Sequence, residues 1–268
     1  MRSTTRFLAM IVGLLWLSPV EAATCRDPAG FDAWLAGFKK EAAASGISQS
    51  AISALDGVAY DPGIVAKDHG QHVFRQSFEQ FSGRMVNAYR LRRGASLMKQ
   101  YAATFARIEQ TYGVPASVIV AIWGLETDFG AVSGNTPTLR ALATLAYDCR
   151  RSDMFQTELM DALRLVQRGD LSQSTRGAWA GEVGQTQFMP SSYLKFAVDF
   201  DGNGRRDLVH SVPDVLASTA NFLRSYGWQR GGAWTPGSAN FAVIKEWNKA
   251  DVYARTIAYF ATRLAGGE

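Results

Sequence analysis

The stretch VIVAIWGLETDFG, residues 118–130, is apolar or small almost throughout and then carries Glu126. At about 100° per helical residue, Ile119, Ile122 or Trp123, and Glu126 fall on one face, while Val118, Ala121 and Leu125 cover the other. A helix with no polar side belongs inside a packed protein, so this stretch sets a helical core. Glu126 then has two readings. A carboxyl held among apolar groups beside an indole resists ionisation and can donate a proton near neutral pH. Alternatively it is an ordinary terminal acid, at a helix end marked by Gly124, Thr127 and Gly130.

Outward from this stretch the helical period continues. Phe31, Trp34, Leu35 and Phe38 stand at i, i+3, i+4 and i+7. A second helix is expected from Ser48 to Leu55, and residues 83–111 form the longest candidate, broken at Gly94. Gly113 and Pro115 stop one element and start the next. Further helices are expected at 115–127, 137–147, 151–168, 190–197, 212–226 and 249–264, with strands only near 233–235 and 241–244. The expectation is a mainly α protein with little β. It has three parts: a signal peptide at 1–22, an N-terminal helical region at 23–112 and a functional body at 113–268.

At 268 residues with 47% hydrophobic content the chain can bury one substantial core or two modest ones. A net charge of +4 suits an anionic polymer but is too small to argue for nucleic acid. Arg2 and Arg6 precede an apolar run from Phe7 to Leu17 and a small-residue site at Ala22, the pattern of an export signal. That run falls short of the roughly 20 residues a spanning helix needs. An exported chain meets oxidising conditions, so a disulfide between Cys25 and Cys149 is expected, with a free pair and lipidation of Cys25 as rivals. Against lipidation, Ala22, Ala23 and Thr24 lack the branched apolar residue such a site usually shows.

A second stretch, GEVGQTQFMPSSYLKFAVDFDGNGRRD at 181–207, is dense in amides, turns and aromatics. Amides beside aromatics suit sugars, which present hydroxyl edges and apolar C–H faces; a tight turn packed by Phe188 and Met189 is the plain alternative. Within it, DFDGNGRRDLVH counts out as a twelve-residue calcium loop. Asp199, Asp201, Asn203, the Arg205 carbonyl and Asp207 are the expected ligands. His210 takes the last position, where a carboxylate belongs, which makes an Asx-turn structure the competing reading. His69 and His72 show no zinc-like spacing and read as surface or packing residues.

GLETDFG, GQTQFMPSSY, AVDFDGNGRRDL and NFLRSYGW, in that order, closely resemble the lytic murein transglycosylases of the membrane-bound B type, a lysozyme-like family that cleaves peptidoglycan. The likeness spans roughly residues 30–264. It implies a lysozyme-like helical catalytic domain with an N-terminal helical extension, a periplasmic location, peptidoglycan strands as substrate and no required cofactor, with a structural calcium as an option. By resemblance Glu126 matches the single catalytic acid and base, and Gln187, followed by Phe188, matches a groove amide. EWNKADVY, residues 246–253, resembles the element that sets Trp247, Asn248 and Tyr253 beside the cleavage point. The chain departs from the pattern at Ala178, where a serine is usual, and at Met154, where an aromatic is usual.

Ordinary glycoside hydrolysis uses two carboxylates. Asp128, Asp148, Asp153 and Glu182 are the candidates for a second; Glu182 is the most credible, although a surface role fits it better. The family chemistry needs none, because the substrate's acetamido group and 6-hydroxyl complete the reaction and leave a 1,6-anhydro end. A water-using muramidase and a non-catalytic wall-binding protein are the alternatives. A monomer is expected that acts on glycan strands and not on nucleic acid, with cell-wall machinery a partner class the residues do not identify.

Overall fold

A computed structural model describes residues 27–70 and 76–267, so the expected signal peptide, Cys25 and His72 lie outside the described residues. After a 3-10 turn at Pro28–Gly30 come α1 (Phe31–Ala44), α2 (Gln49–Ile52), a second 3-10 turn at Ser53–Leu55, and α3 (Pro62–His69). Then follow α4 (Phe78–Met85), α5 (Ala88–Gln100), α6 (Ala102–Tyr112) and α7 (Ala116–Thr127). Beyond these lie α8 (Thr138–Tyr147), α9 (Ser152–Arg168), α10 (Pro190–Phe196), α11 (Val212–Ser225), α12 (Ala239–Trp247) and α13 (Asp251–Leu264). β1 (Thr136–Pro137) and β2 (Arg176–Gly177) form a minimal antiparallel ladder, so the protein is mainly α with little β, as expected.

Three expectations need correction. Gly94 does not break a helix; it lies inside α5. A methyl there would sit 3.0 Å from the Leu264 side chain and 3.1 Å from that of Val120, so the glycine lets α5 approach α7 and α13 closely. The real breaks come at Val86–Asn87, where the Asn87 side chain accepts from the Arg90 amide and starts α5, and at Tyr101. Residues 241–244 are helix, not strand: Ser238 caps α12 by accepting from the Phe241 amide, and Phe241, Val243 and Ile244 turn one helical face inward. No strand occurs at 233–235 among the described residues. A short apolar run carries no strand-or-helix information without its partner.

α7 is buried from Ser117 to Leu125 and packs against α13, α5 and α11. Val118, Ile119, Val120 and Ile122 are fully inaccessible, each stabilising the core by about 1.5–3 kcal/mol relative to exposure. Two apolar clusters build the body. One gathers α7, α11, α12 and α13 with Phe81, Leu97, Phe105 and Ile108 from α4, α5 and α6. The other joins α1, α2 and α3 to α8 and α9. The packing thus does not divide at 112/113: α4–α6 share the core of α7, and α8–α9 complete that of α1–α3.

Candidate active site

The C-terminal end of α7 is fixed more tightly than a frayed terminus would be. Asp128, Phe129 and Gly130 adopt φ of 53°, 62° and 83°, three successive left-handed residues that turn the chain sharply. Asp128 is ion-paired with Arg90 at 3.1 Å. The Thr127 hydroxyl donates to the Gln185 carbonyl and accepts from the Gly130 amide at 2.9 Å. The Trp123 indole N–H donates to Gln185 Oε1 at 3.0 Å, and Gln185 Nε2 donates to the Val209 carbonyl at 2.9 Å. The second stretch therefore clamps the first. Reciprocal bonds between Val183 and Phe188, at 2.8 and 2.9 Å, close a tight hairpin around Gly184–Gln187.

Glu126 lines a cavity of about 370 Å³ together with Glu182, Gln187, Phe188, Trp247 and Asn248. The structure thus brings together the acid and four of the five binding residues expected from sequence; the fifth, Tyr253, hydrogen-bonds Glu126 from within the core. Trp247 Nε1–H donates to Glu126 Oε1 at 2.9 Å. Trp247 is itself held edge-on against Phe188 and Phe222, with ring centroids 5.4 and 4.9 Å apart. Gln187 spends its Nε2 group internally, donating to Gly184 O at 2.8 Å and Ser133 O at 3.3 Å, so its carbonyl oxygen is the part left for a ligand. Asn248 uses Oδ1 to accept from the Ala250 amide at 3.0 Å, leaving its NH₂ group free for the groove.

Burial raises the pKa of Glu126 to about 7, against the lowering effect of the hydrogen bonds from Trp247 and Tyr253. The charge of Glu182 pushes the same way as burial. The carboxyl is exposed only at the groove floor and enclosed elsewhere, which reconciles its half-buried surface with so large a shift. At neutral pH it is poised between acid and base. The phenol of Tyr253 is held well above its ordinary value, first by burial and then by Glu126, so it remains a donor.

Sequence reasoning misplaced or missed several acids. Glu182 is no surface residue: it lines the groove, its Oε2 is buried without a partner, and burial raises its pKa. Glu158 on α9 was not singled out, yet both its oxygens bind Ser191, at 2.7 and 2.9 Å, and anchor the start of α10 beside the groove. Asp148 pairs with His69 at 2.9 Å, and Asp153 is exposed on α9. Glu158 falls on the buried face of the amphipathic α9, beside Phe155 and Leu159, and that position was the signal for it.

The 199–210 segment holds its carboxylates differently from the count of a calcium loop. Asp207 turns back to accept from the amides of Val209 and His210 and pairs with His210 Nδ1 at 3.1 Å. Asn203 Oδ1 caps the Arg205 amide. Oxygens of Asp199 and Asp201 instead gather with those of the buried Asp214, all within 4.8 Å. Asp214, beyond the twelve counted residues, ties the loop to α11 by accepting from the amides of Phe200, Asp201 and Asp207.

The transglycosylase SLT domain family matches residues 30–238. Membrane-bound lytic murein transglycosylase B of Escherichia coli is 38% identical over 154 residues, 57% of this chain and 42% of that protein. The match thus spans less than half the relative's length. SltB3 of Pseudomonas aeruginosa, solved in complex with NAG-anhNAM-pentapeptide, superposes with a TM-score of 0.84 at 30% identity, covering 88% of this chain and 80% of that one. Soluble lytic transglycosylase SltB1 of the same organism gives 0.81 at 25% identity, covering 87% and 98%.

Proposed function

Because the chain belongs to the transglycosylase SLT domain family, we propose that it cleaves the β-1,4 bond between N-acetylmuramic acid and N-acetylglucosamine in peptidoglycan, leaving 1,6-anhydromuramoyl ends. The observation that carries this reading is Glu126: a carboxyl raised to about 7, so able to give and take a proton near neutral pH, on the floor of a groove walled by aromatics and amides. Protonated Glu126 donates to the glycosidic oxygen as the C1–O bond breaks, and the acetamido carbonyl oxygen bonds to C1. The carboxylate so formed keeps the hydrogen bonds from Trp247 and Tyr253. It then takes the proton of the 6-hydroxyl as O6 attacks C1 and the acetamido oxygen departs. Glu126 ends protonated, and no water is consumed.

Replacing Glu126 by Gln removes the proton and keeps the shape. Turnover of purified sacculi is expected to fall by about a thousandfold or more, while sacculus binding survives. Unchanged turnover would sink the assignment. A water-using muramidase is the second reading, favoured by one observation, the carboxyl of Glu182 in the same cavity. Mass spectrometry of the released muropeptides separates the two, since hydrolysis adds one water to each reducing end. A wall-binding protein without turnover is the third outcome of the same experiment.

Secretion to the periplasm by the 1–22 segment, a Cys25–Cys149 disulfide and a monomeric state complete the proposal. No helix among the described residues is long and apolar enough to cross a membrane, and no described cysteine is free. A hard cation fits the all-oxygen set of Asp199, Asp201 and Asp214, where calcium would brace the loop and take no part in the chemistry.

A further inference from the structure

We propose that Glu182 is a substrate-contacting residue of this reaction, its unpaired carboxylate oxygen accepting a hydrogen bond from the acetamido N–H of the muramoyl unit. The proposal rests on the activity proposed above. Oε2 of Glu182 is buried and has no hydrogen-bond partner in the protein. Native structures leave few such atoms, because each costs about 1–3 kcal/mol, so one kept in the wall of a groove implies a partner that arrives with the ligand. The rest of the carboxyl is already fixed by the backbone amides of Ala180 and Glu182 itself.

The backbone beneath it cannot retreat. The Glu182 carbonyl accepts from the Ala178 amide at 2.9 Å, and a methyl on Gly177 would lie 2.0 Å from that carbonyl. Gly181 holds φ of 95° with Leu142 2.4 Å from where its side chain would begin. The carboxyl also stands at a junction: Glu182 and Met189 line both the 370 Å³ cavity of Glu126 and a neighbouring cavity of about 290 Å³. A sugar bridging the two therefore passes directly over it.

The chemistry selects the acetamido N–H. As the acetamido oxygen bonds to C1, positive charge develops on that N–H, and a carboxylate facing it strengthens its hold in the transition state. The two acids then divide the work: Glu126 supplies the proton, and Glu182 becomes the anion as positive charge develops on the acetamido N–H. Burial works against the charged form of Glu182, as does Glu158, while the amides of Glu182 and Ala180 and the Arg151 guanidinium favour it; a positive charge arriving on the acetamido N–H adds to that favourable side.

The test compares Glu182→Gln and Glu182→Ala with wild type on sacculi and on a muramic thiazoline, whose fused ring, once protonated on nitrogen, stands for the cyclised acetamido group and carries the N–H that Glu182 would hold. Both variants are expected to lose about 10- to 100-fold in kcat with KM changed less than threefold, and to bind the thiazoline more weakly by a similar factor. Their melting temperatures show whether the fold is intact, and the isosteric Gln variant covers a failure of Ala to fold. Thiazoline affinity within twofold of wild type in folded variants overturns the proposal. So does selective loss of hydrolysed ends with anhydro ends unchanged, which would make Glu182 a base for water. Wild type that releases no anhydro ends refutes the proposed activity instead, while the thiazoline comparison still reads out Glu182.

Discussion

In the proposed reaction Glu126 must be neutral before it reacts and charged afterwards, and its surroundings favour both states. Burial favours the acid, while the Trp247 and Tyr253 donors wait for the anion. With the carboxyl raised to about 7, the protonated fraction is nearly complete at pH 5 and falls as pH rises through 7. Turnover is therefore expected to decline along an alkaline arm centred near 7, measured as kcat/KM against pH. Trp247→Phe removes a donor that stabilises the carboxylate, so the arm should move to higher pH, with kcat lowered about tenfold because the departing proton leaves a less well held anion. An arm that stays put, or moves to lower pH, would show that the indole does not set the acidity. The acid on an all-apolar helix marked Glu126 in sequence without deciding between an active-site acid and a helix terminus; the resemblance carried by QTQFMPSSY and EWNKADVY made the choice. Glu182 was not marked, because a carboxyl among glycines looks solvated until the Val183–Phe188 hairpin folds it under the groove.

At the scale of elements, α7 was readable to within a residue, since its apolar run and its glycine-rich end are local signals. Its exit is not local. Phe129 tucks back against Gly124, where a methyl would lie 2.7 Å from the ring and 3.0 Å from that of Phe260 on α13. Gly124→Ala is thus expected to destabilise the protein by about 1–3 kcal/mol by overpacking, and to weaken turnover beyond what the stability loss explains. A thermal melt and an assay well below the melting temperature check both; an unchanged melt would mean the ring has room to move. The failed readings share a cause. Gly94 and the 241–244 run acquire their meaning from Leu264, Val120 and the cap at Ser238, and none of these is visible in a window of neighbouring residues.

For the molecule as a whole, the loop carrying Asp199 and Asp201, which faces Asp214 in the first turn of α11, is tied to the site through Gln185, which joins Val209 to Trp123. Calcium should raise the melting temperature of the wild type by several degrees at millimolar concentration, and this increment should vanish in Asp214→Asn. An increment that persists in the variant would place the ion elsewhere. The two apolar clusters were not predictable as a division of the chain, because each collects helices from both ends of the sequence. The groove runs along their seam: Phe188 and Trp247 belong with one cluster, and Phe155, Ala180 and Met189 with the other. The acid at the end of α7 meets its two donors only at Trp247 on α12 and Tyr253 on α13, so the constellation around Glu126 is complete only once the last two helices of the described chain have docked.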